Sequence, residues 1–152
     1  MALEMSTIGV RLKYCVESSA GTRPTSGYTE LPDIKEIPGV DENPSLLDVT
    51  NLVDTHRRRI PGVVDGTDDF ALTCNMTADL KTKWAAMKTA ADTAWASGKS
   101  TWYEIAIPNF DSYYFAGRPS DLGFATVGVD GVLEATPHII PNQIAGWAAK
   151  ST

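Results

Sequence analysis

The side chains best suited to bind an anion are three consecutive arginines, Arg57, Arg58 and Arg59, which follow His56. A guanidinium group is planar and always charged, and its paired N–H donors fit a phosphate or a carboxylate. The whole chain nevertheless has 13 Lys and Arg against 19 Asp and Glu, a formal net charge of −6. Nucleic-acid-binding proteins neutralise phosphates with clustered basic residues, so this balance argues against one. We therefore interpret the arginines as contacts to carboxylates of another subunit, with a solvated loop as the alternative.

Carboxylates follow the arginines after a short gap, at Asp65, Asp68 and Asp69. A calcium loop needs the spacing D-x-[DN]-x-[DN]-G and a distal glutamate, and these residues do not match it. If Asp68 and Asp69 both lie in a strand, they point to opposite faces, which does not suit a catalytic carboxylate pair. We therefore expect neither metal binding nor catalysis here. The candidate partners for the arginines are Asp65, Asp68 and Asp69, or Glu36, Asp41 and Glu42.

Other reactive side chains show no arrangement typical of a cofactor site or an active site. His56, His138, Cys15 and Cys74 contain the right atoms for zinc but lack metal-ligand spacing. No P-loop, dinucleotide fingerprint or Gly-x-Ser-x-Gly motif occurs, so we expect no cofactor and no enzymatic activity. The first residues do not read as a signal peptide, and free thiols are therefore expected. No run of about 18 apolar residues indicates a membrane span.

The arginines lie in a charged segment between two strands. Alternation of apolar and polar residues predicts strands at 45–50 and 69–75. Between them, the arginines are followed by a predicted Ile60-Pro61-Gly62 turn, and the whole connection exceeds the roughly 2–5 residues of an ordinary hairpin loop. Long loops of this kind are typically functional. The candidate contact residues of this loop are Asn51, Asp54, His56, Arg57, Arg58 and Arg59.

The length of 152 residues, with 43% hydrophobic and 21% charged residues, indicates one globular domain, 1–152. Its ends, 1–5 and the tail 141–152, are expected to be flexible. Asp130-Gly131 favours a hairpin between the last two predicted strands. The strands predicted besides those above are 6–17, 28–37 with a break at Pro32, 100–107, 112–117, 122–129 and 132–140.

One segment has the period of a helix. Apolar residues recur every three or four positions from Ala78 to Ser97, with Thr77 as N-cap and Gly98 ending the helix. Two of its tryptophans, Trp84 and Trp95, are expected to anchor it. Strands, one helix and more strands predict a mainly β or α+β fold: an antiparallel β-sandwich or part-barrel with one packed α-helix at about 78–97. The edge strands of such a sheet must be covered, and copies of the same chain can cover them.

The residues around the arginines also resemble a known family. The run 48–52 (DVTNL), the arginines, Ile60-Pro61-Gly62, Asp65-Gly66 and Phe70 are similar in order and spacing to the tail tube (major tail) protein of long-tailed, siphovirus-type bacteriophages. The resemblance extends from about Thr7 to Trp147. The triple arginine departs from the family, whose members often have fewer arginines.

That resemblance implies a structural virion protein that self-assembles into stacked hexameric rings, a hollow tail tube through which DNA passes into the host without specific binding. It also implies a tape measure protein and a tail terminator as partners, assembly in the host cytoplasm, and ring contacts by residues 51–59 and the N-terminus. An excess of carboxylates suits this role, because a negative wall does not hold phosphates. The alternatives are a type VI secretion tube-like protein and a monomeric β-sandwich that binds carbohydrate through Trp102, Tyr113 and Tyr114.

Overall fold

The chain folds into strands and one helix, as seen in a computed structural model that describes residues 4–65 and 69–152. This confirms the prediction of a mainly β, α+β fold with one packed helix. In chain order the elements are β1 (Arg11–Val16), β2 (Thr29–Glu30), β3 (Ile34–Glu36), β4 (Asn43–Asp48), β5 (Arg59–Asp65), β6 (Phe70–Ala71), β7 (Thr73–Asn75), α1 (Ala78–Ala96), β8 (Thr101–Ala106), β9 (Ser112–Pro119), β10 (Glu134–Ala135) and β11 (His138–Ala148).

Three antiparallel sheets are formed by the described residues. The largest has six strands in the order β2-β1-β8-β9-β11-β6, and a smaller one has the order β10-β7-β3. The third is the two-stranded β4–β5 hairpin. The predicted strand 69–75 is divided between the first two sheets at Leu72, whose N–H donates to the Pro137 carbonyl at 2.9 Å. The predicted strand 28–37 is likewise divided at Pro32 into β2, an edge strand, and β3.

The main hydrophobic core lies between the two larger sheets and the helix. Tyr103, Phe115 and Ile139 contribute buried side chains from the six-stranded sheet, and Cys74 contributes one from β7. The Phe115 ring packs 5.3 Å from Tyr103 and 4.8 Å from Phe70, measured between ring centroids. Aromatic pairs at such distances contribute about 0.5–1.5 kcal/mol beyond the area that they bury. One continuous core therefore holds both sheets and the helix together.

Helix α1 begins and ends where its sequence predicts. Thr77 is the N-cap: its Oγ1 accepts a hydrogen bond from the Leu80 N–H at 3.1 Å. Gly98, with φ 75°, follows the C-cap Ser97 in the left-handed conformation that glycine tolerates best. The buried residues recur at steps of four and three along one face: Leu80, Trp84, Met87, Ala91 and Ala94.

Only one of the two expected tryptophan anchors is buried. Trp84 is buried and donates its indole N–H to the Ser120 carbonyl at 2.8 Å. Trp95 is 48% exposed, so the prediction that it anchors the helix is wrong. Ala94 holds the buried position, and the next residue lies about 100° further around the helix. The Trp95 ring instead contacts the Arg118 guanidinium at 4.8 Å.

The other face of the six-stranded sheet carries a smaller buried cluster around Trp102 and Tyr114. Glu17 is buried on this side and accepts hydrogen bonds from the Trp102 indole N–H at 2.7 Å and from the backbone N–H groups of Gly21 and Ser100. These bonds satisfy the buried carboxylate and join the loop after β1 to the start of β8.

A second buried carboxylate on this face holds the end of the chain. Glu104 of β8 is fully buried and accepts a hydrogen bond from the Tyr114 hydroxyl. It also accepts hydrogen bonds from the backbone N–H and from the hydroxyl of Ser151, both at 3.0 Å. The Lys13 ammonium lies 4.0 Å away. The last residues therefore lie against the sheet.

One strand predicted near the C-terminus is wrong, and the next is divided. No strand forms over 122–129, whereas the predicted 132–140 is divided into β10 at Glu134–Ala135 and the start of β11 at His138. One backbone hydrogen bond, from the Ala125 N–H to the Glu134 carbonyl at 2.8 Å, joins the segment 122–129 to β10. The physical reason is that β10 pairs with β7 instead, while side chains such as Phe124 and Val129 have no core to face.

The predicted chain ends also differ from the structure. The segment assigned to a tail from Pro141 carries β11 as far as Ala148, because bulges near Pro141 and Gly146 absorb residues that do not suit a regular strand. At the N-terminus, β1 begins only at Arg11. Ile8, expected on the apolar face, is exposed because Gly9, with φ 85°, turns the chain before the strand.

Candidate assembly surface

The β4–β5 hairpin carries the predicted contact residues and has no core of its own. Every residue of β4 is exposed, and in the part of the chain that the structure describes the two strands pair only with each other. The predicted Ile60-Pro61-Gly62 turn is wrong, because these residues lie within β5, where Pro61 is opposite Leu46 beside a bulge. Proline is tolerated there because the hairpin has no further strand to pair with. An isolated two-stranded hairpin is at best marginally stable in water.

The apolar side chains of this hairpin face solvent on both sides. At its turn, Leu52 is fully exposed and Val53 is 85% exposed. Contiguous exposed apolar surface of this kind marks an interaction site. The exposed apolar residues of the hairpin are Leu46, Leu47, Val49, Leu52, Val53, Ile60, Val63 and Val64.

The turn between β4 and β5 is held in shape by its own hydrogen bonds. Asn51 Oδ1 accepts from the Val53 N–H at 3.0 Å, and Asp54 Oδ2 accepts from the Asn51 N–H at 2.9 Å. Thr50 Oγ1 accepts from the Arg58 N–H at 2.9 Å. Asp54 also forms an ion pair with Arg58 at 3.6 Å. The turn therefore presents its side chains in a defined geometry.

The hairpin turn together with the first residue of β5, residues 49–59, is basic, since it combines three arginines with one aspartate. Asp48, the last residue of β4, lies opposite Arg59. Arg58 is paired with Asp54, an exposed pair of the kind that contributes only about 0.2–1 kcal/mol. Within residues 4–65 and 69–152, the side chains of His56, Arg57 and Arg59 form no ion pair. These cations are available to a partner.

The predicted acidic partners are distributed differently from the arginines. Asp69 contacts His138, with 2.8 Å between Oδ2 and Nδ1. Asp65 ends β5 opposite Asn43, whereas Arg59 begins the same strand. Asp68 lies outside the described residues. Asp69 is therefore paired with His138 within this molecule. A contact between the aspartates and the arginines of another copy stays a prediction.

A second exposed surface lies at one end of the six-stranded sheet. Trp147 of β11 makes edge-to-face contacts with Phe110 and Tyr113, at centroid distances of 5.3 and 5.2 Å. Phe110 is 44% exposed and Trp147 is 55% exposed. Burial raises the pKa of Tyr113, and the nearby carboxylates of Glu42 and Asp41 raise it further. We call this surface the aromatic–acidic patch. Its members are Asp41, Glu42, Phe110, Tyr113 and Trp147, together with Asp111, which is exposed and follows Phe110 in the chain.

The aromatic–acidic patch is not predicted by the sequence. Trp147 was assigned to a flexible tail, so its position beside Tyr113 across β9 and β11 was not foreseen. The alternation of Ile144 with Trp147 is broken by the bulge before Gly146, which hides the strand. Asp41 and Glu42 are predicted only as candidate partners for the arginines, and their position near Tyr113 is not.

No protein-family model and no curated protein matches the chain, but solved structures do. A chain of the anti-feeding prophage (AFP) baseplate, 6-fold symmetrised, superposes with a TM-score of 0.66 at 8% identity, over 96% of this chain and 97% of that one. The tail of an empty GTA particle with C6 symmetry gives 0.59 at 12% identity, over 95% and 100%. The SPP1 tail tube gives 0.50 at 15%, over 92% and 78%. The chain has a phage tail tube-like fold.

The tail tube-like fold confirms the family resemblance around the arginines at the level of architecture. Identities of 8–15% establish the fold alone. The contacts that this tail tube-like chain makes must therefore be argued from its own residues.

The tail tube-like chain does not present the aromatic platform of the carbohydrate-binding alternative. Trp102 and Tyr114 are buried, and the Arg23 guanidinium covers the Tyr114 ring at 4.1 Å. Tyr113 is half-buried and meets Trp147 edge-on. A sugar stacks on an exposed flat ring, so the platform expected from these residues is wrong.

Metal-ligating and thiol groups are dispersed in the described structure. No group of three or more His, Cys, Asp or Glu side chains there is placed to hold a metal ion. Cys15 and Cys74 are free thiols, as predicted, and burial raises the pKa of Cys74 to about 11. Among the described residues, no helix has both the length and the apolar character needed to cross a membrane.

Proposed function

We propose that this chain is a structural virion protein that self-assembles into stacked hexameric rings, forming the hollow tail tube through which phage DNA enters the host. The observation that carries the proposal is the β4–β5 hairpin, which exposes apolar side chains on both faces and pairs with no other strand among the described residues. The fold supports it, since two similar structures come from assemblies of six-fold or C6 symmetry.

Self-association supplies the burial that the hairpin lacks. Fully burying a leucine or valine side chain contributes about 1.5–3 kcal/mol. Association costs roughly 4–15 kcal/mol in lost translational and rotational freedom. The eight exposed apolar residues of the hairpin are enough to offset that cost when neighbours cover most of them.

The outer edge of β11 supports the closing of a ring. β6 pairs with β11 only at His138 and Ile139, while β9 covers the other side of β11 along its length. From Ile140 to Ala148 the outer edge of β11 has no partner strand among the described residues. Unpaired strand edges of this length are templates for another strand. A neighbouring copy fills this role in the proposed ring.

The charge of the chain, its location and its partners belong to the same proposal. A net charge of −6 suits a channel wall, because carboxylates repel the DNA phosphates and let the duplex slide. The protein works in the virion without enzymatic activity, after assembly in the host cytoplasm. A tape measure protein and a tail terminator are its proposed partners.

Electron microscopy of the purified chain tests the proposal. Negatively stained samples over a range of concentrations are expected to show six-fold rings or hollow tubes, and size-exclusion chromatography is expected to show concentration-dependent growth. A single monomer peak at every concentration contradicts self-assembly. Antibody labelling along phage tails separates a phage tube from a type VI secretion tube-like protein, which would leave virions unlabelled.

A further inference from the structure

We propose that the arginine-bearing turn of the hairpin docks on the aromatic–acidic patch of a second copy of this chain. The inference rests on the proposed self-assembly and names the two surfaces that meet. Its basis is the chemistry of the two surfaces and their positions at opposite ends of one hairpin.

The chemistry of the two surfaces is complementary. Arg57 and Arg59 form no ion pair in the described part of their own molecule. The patch combines the rings of Phe110, Tyr113 and Trp147 with the carboxylate of Glu42, which lies near Tyr113, and Asp111 follows Phe110 in the chain. A guanidinium group pairs with a carboxylate through its edge and stacks on an aromatic ring through its face, so a surface with both groups favours arginine over lysine.

The apolar parts of the two surfaces also match. Leu52 and Val53 project from the same turn as the arginines and contact nothing that would bury them. Phe110 and Trp147 are half-exposed, and their rings contact each other in the patch. Interfaces are typically built from aromatic anchors at the centre with charged groups around them. Contact between these residues buries apolar side chains while the arginines meet the surrounding carboxylates.

The positions of the two surfaces require the contact to form between copies. Asp41 and Glu42 immediately precede β4, at the base of the hairpin, where Asn43 pairs with Asp65. The pair Asp48↔Arg59 is five steps further along β4, roughly 17 Å of extended strand. A paired hairpin of this length does not fold back onto its own base.

A turn-to-base contact of this kind is heterologous. Each copy binds the next one through its hairpin turn and the previous one through its patch. Every added copy therefore leaves one free surface for a further copy. The displacement between copies is about one hairpin length. The contact therefore supports growth along the tube axis, from one ring to the next.

Charge exchange tests the contact. Two double variants reverse the charge of one surface each: Arg57→Glu with Arg59→Glu on the turn, and Glu42→Arg with Asp111→Arg on the patch. Each variant is expected to raise the protein concentration needed for tube assembly by about tenfold or more, because it creates like-charge repulsion. Combining the two pairs of changes in one chain is expected to restore assembly. The matched control exchanges an exposed pair on the helix, Asp79→Lys with Lys83→Glu, and is expected to assemble as the wild type does. Circular dichroism melting curves check that each variant is folded.

Cysteine cross-linking gives an independent measurement. A variant with Arg57→Cys is mixed with a variant with Glu42→Cys, and the mixture is oxidised during assembly. A covalent dimer is expected only in the mixture, because one thiol lies on the turn and the other on the patch. Each variant alone, and the wild type with Cys15 and Cys74, are the controls.

The outcomes separate this inference from the proposed function. Wild-type tubes without charge rescue and without the mixed dimer overturn the turn-to-patch contact and leave self-assembly standing. Rescue of the arginine variant by Asp121→Arg with Asp130→Arg, in place of the patch changes, moves the contact to the loop before β10 and also overturns it. If the wild type forms no assembly under any condition, both fail.

Discussion

Glu104 shows how a single buried carboxylate is made tolerable. Burial acts to raise the pKa of Glu104, but hydrogen bonds from Tyr114 and Ser151, with the charge of Lys13 nearby, outweigh it and leave the pKa below its ordinary value. Burial, followed by the hydrogen bond to Glu104 and the charge of Glu104, raises the pKa of Tyr114 to about 12. The charged carboxylate is therefore the form that the folded protein stabilises.

Glu104→Gln is expected to lower the free energy of unfolding by about 1–3 kcal/mol at neutral pH, because charge-assisted hydrogen bonds are replaced by neutral ones. Since the folded-state pKa is depressed, the wild-type contribution is complete above the ordinary value of 4.5 and is lost as the pH falls through the lower folded value. Urea unfolding at several pH values, followed by tryptophan fluorescence, measures both effects. Equal acid sensitivity in variant and wild type would contradict this role.

At the residue scale the sequence predicted which positions alternate but not what covers them. Within the predicted strand 100–107, alternation places Glu104 and Trp102 on one face, and the observed register agrees. The burial of this face depends on Glu17, which precedes the strand by more than eighty residues, and on Ser151 at the end of the chain. Contacts so distant in sequence leave no local pattern.

At the element scale, the close approach of β9 and β11 depends on one glycine. A Cβ atom added at Gly117 would lie 2.6 Å from the Ile140 carbonyl oxygen and 3.0 Å from the Ile139 side chain. The carbonyl belongs to the backbone of a paired strand, so it cannot rotate away as a side chain can. The absence of a side chain at this position lets β11 pair with β9 beside the bulge at Pro141.

Gly117→Ala is therefore expected to destabilise the fold by about 1–3 kcal/mol, the usual cost of forcing an extra methyl group into a packed site. Gly128→Ala is the matched control, because a Cβ there meets nothing within 4 Å. Thermal melting followed by circular dichroism compares the two variants with the wild type. Equal melting temperatures for all three proteins would show that β9 and β11 are not held this closely.

Elements with local determinants were predicted well, and elements defined by distant partners were not. The helix was found because Thr77, the apolar period and Gly98 all act within its own span. β5 was taken for a turn because of its Pro61-Gly62, and β11 was taken for a tail because of Pro141 and Gly146. In both strands a bulge accommodates the residues that break the pattern.

At the scale of the whole molecule, the exposed hairpin turn is expected to matter for assembly and not for folding. The double variant Leu52→Ser with Val53→Ser should leave the melting temperature of the monomer unchanged. The reason is that the Leu52 side chain is fully exposed and the Val53 side chain is 85% exposed. The concentration needed for assembly should rise by about tenfold or more, since two buried apolar contacts are lost. Light scattering during assembly measures this change.

Val129→Ser is the control for that experiment, since Val129 is equally exposed but lies outside the hairpin. An equal loss of assembly in the control would assign the effect to general surface hydrophobicity. Unchanged assembly in the hairpin variant would remove the turn from the contact surface.

The candidate site was predicted in part. The arginines, the long connection and the motif order predict that residues 51–59 form a contact segment, and the structure places them at the turn of the β4–β5 hairpin. The aromatic–acidic patch joins residues from 41, 110 and 147, which only the folded sheet brings together. A linear motif can reveal one half of an interface, whereas a composite surface needs the fold.

In the proposed assembly, the edge of β11 that has no partner strand among the described residues and the apolar hairpin let free copies associate before they reach a tube. The surplus of negative charge opposes random encounters, because free copies repel one another at long range in low salt. A growing end of the proposed tube holds several copies in fixed positions and offers an arriving one many contacts at once. At low salt we therefore expect elongation of an existing tube to be favoured over association of free copies.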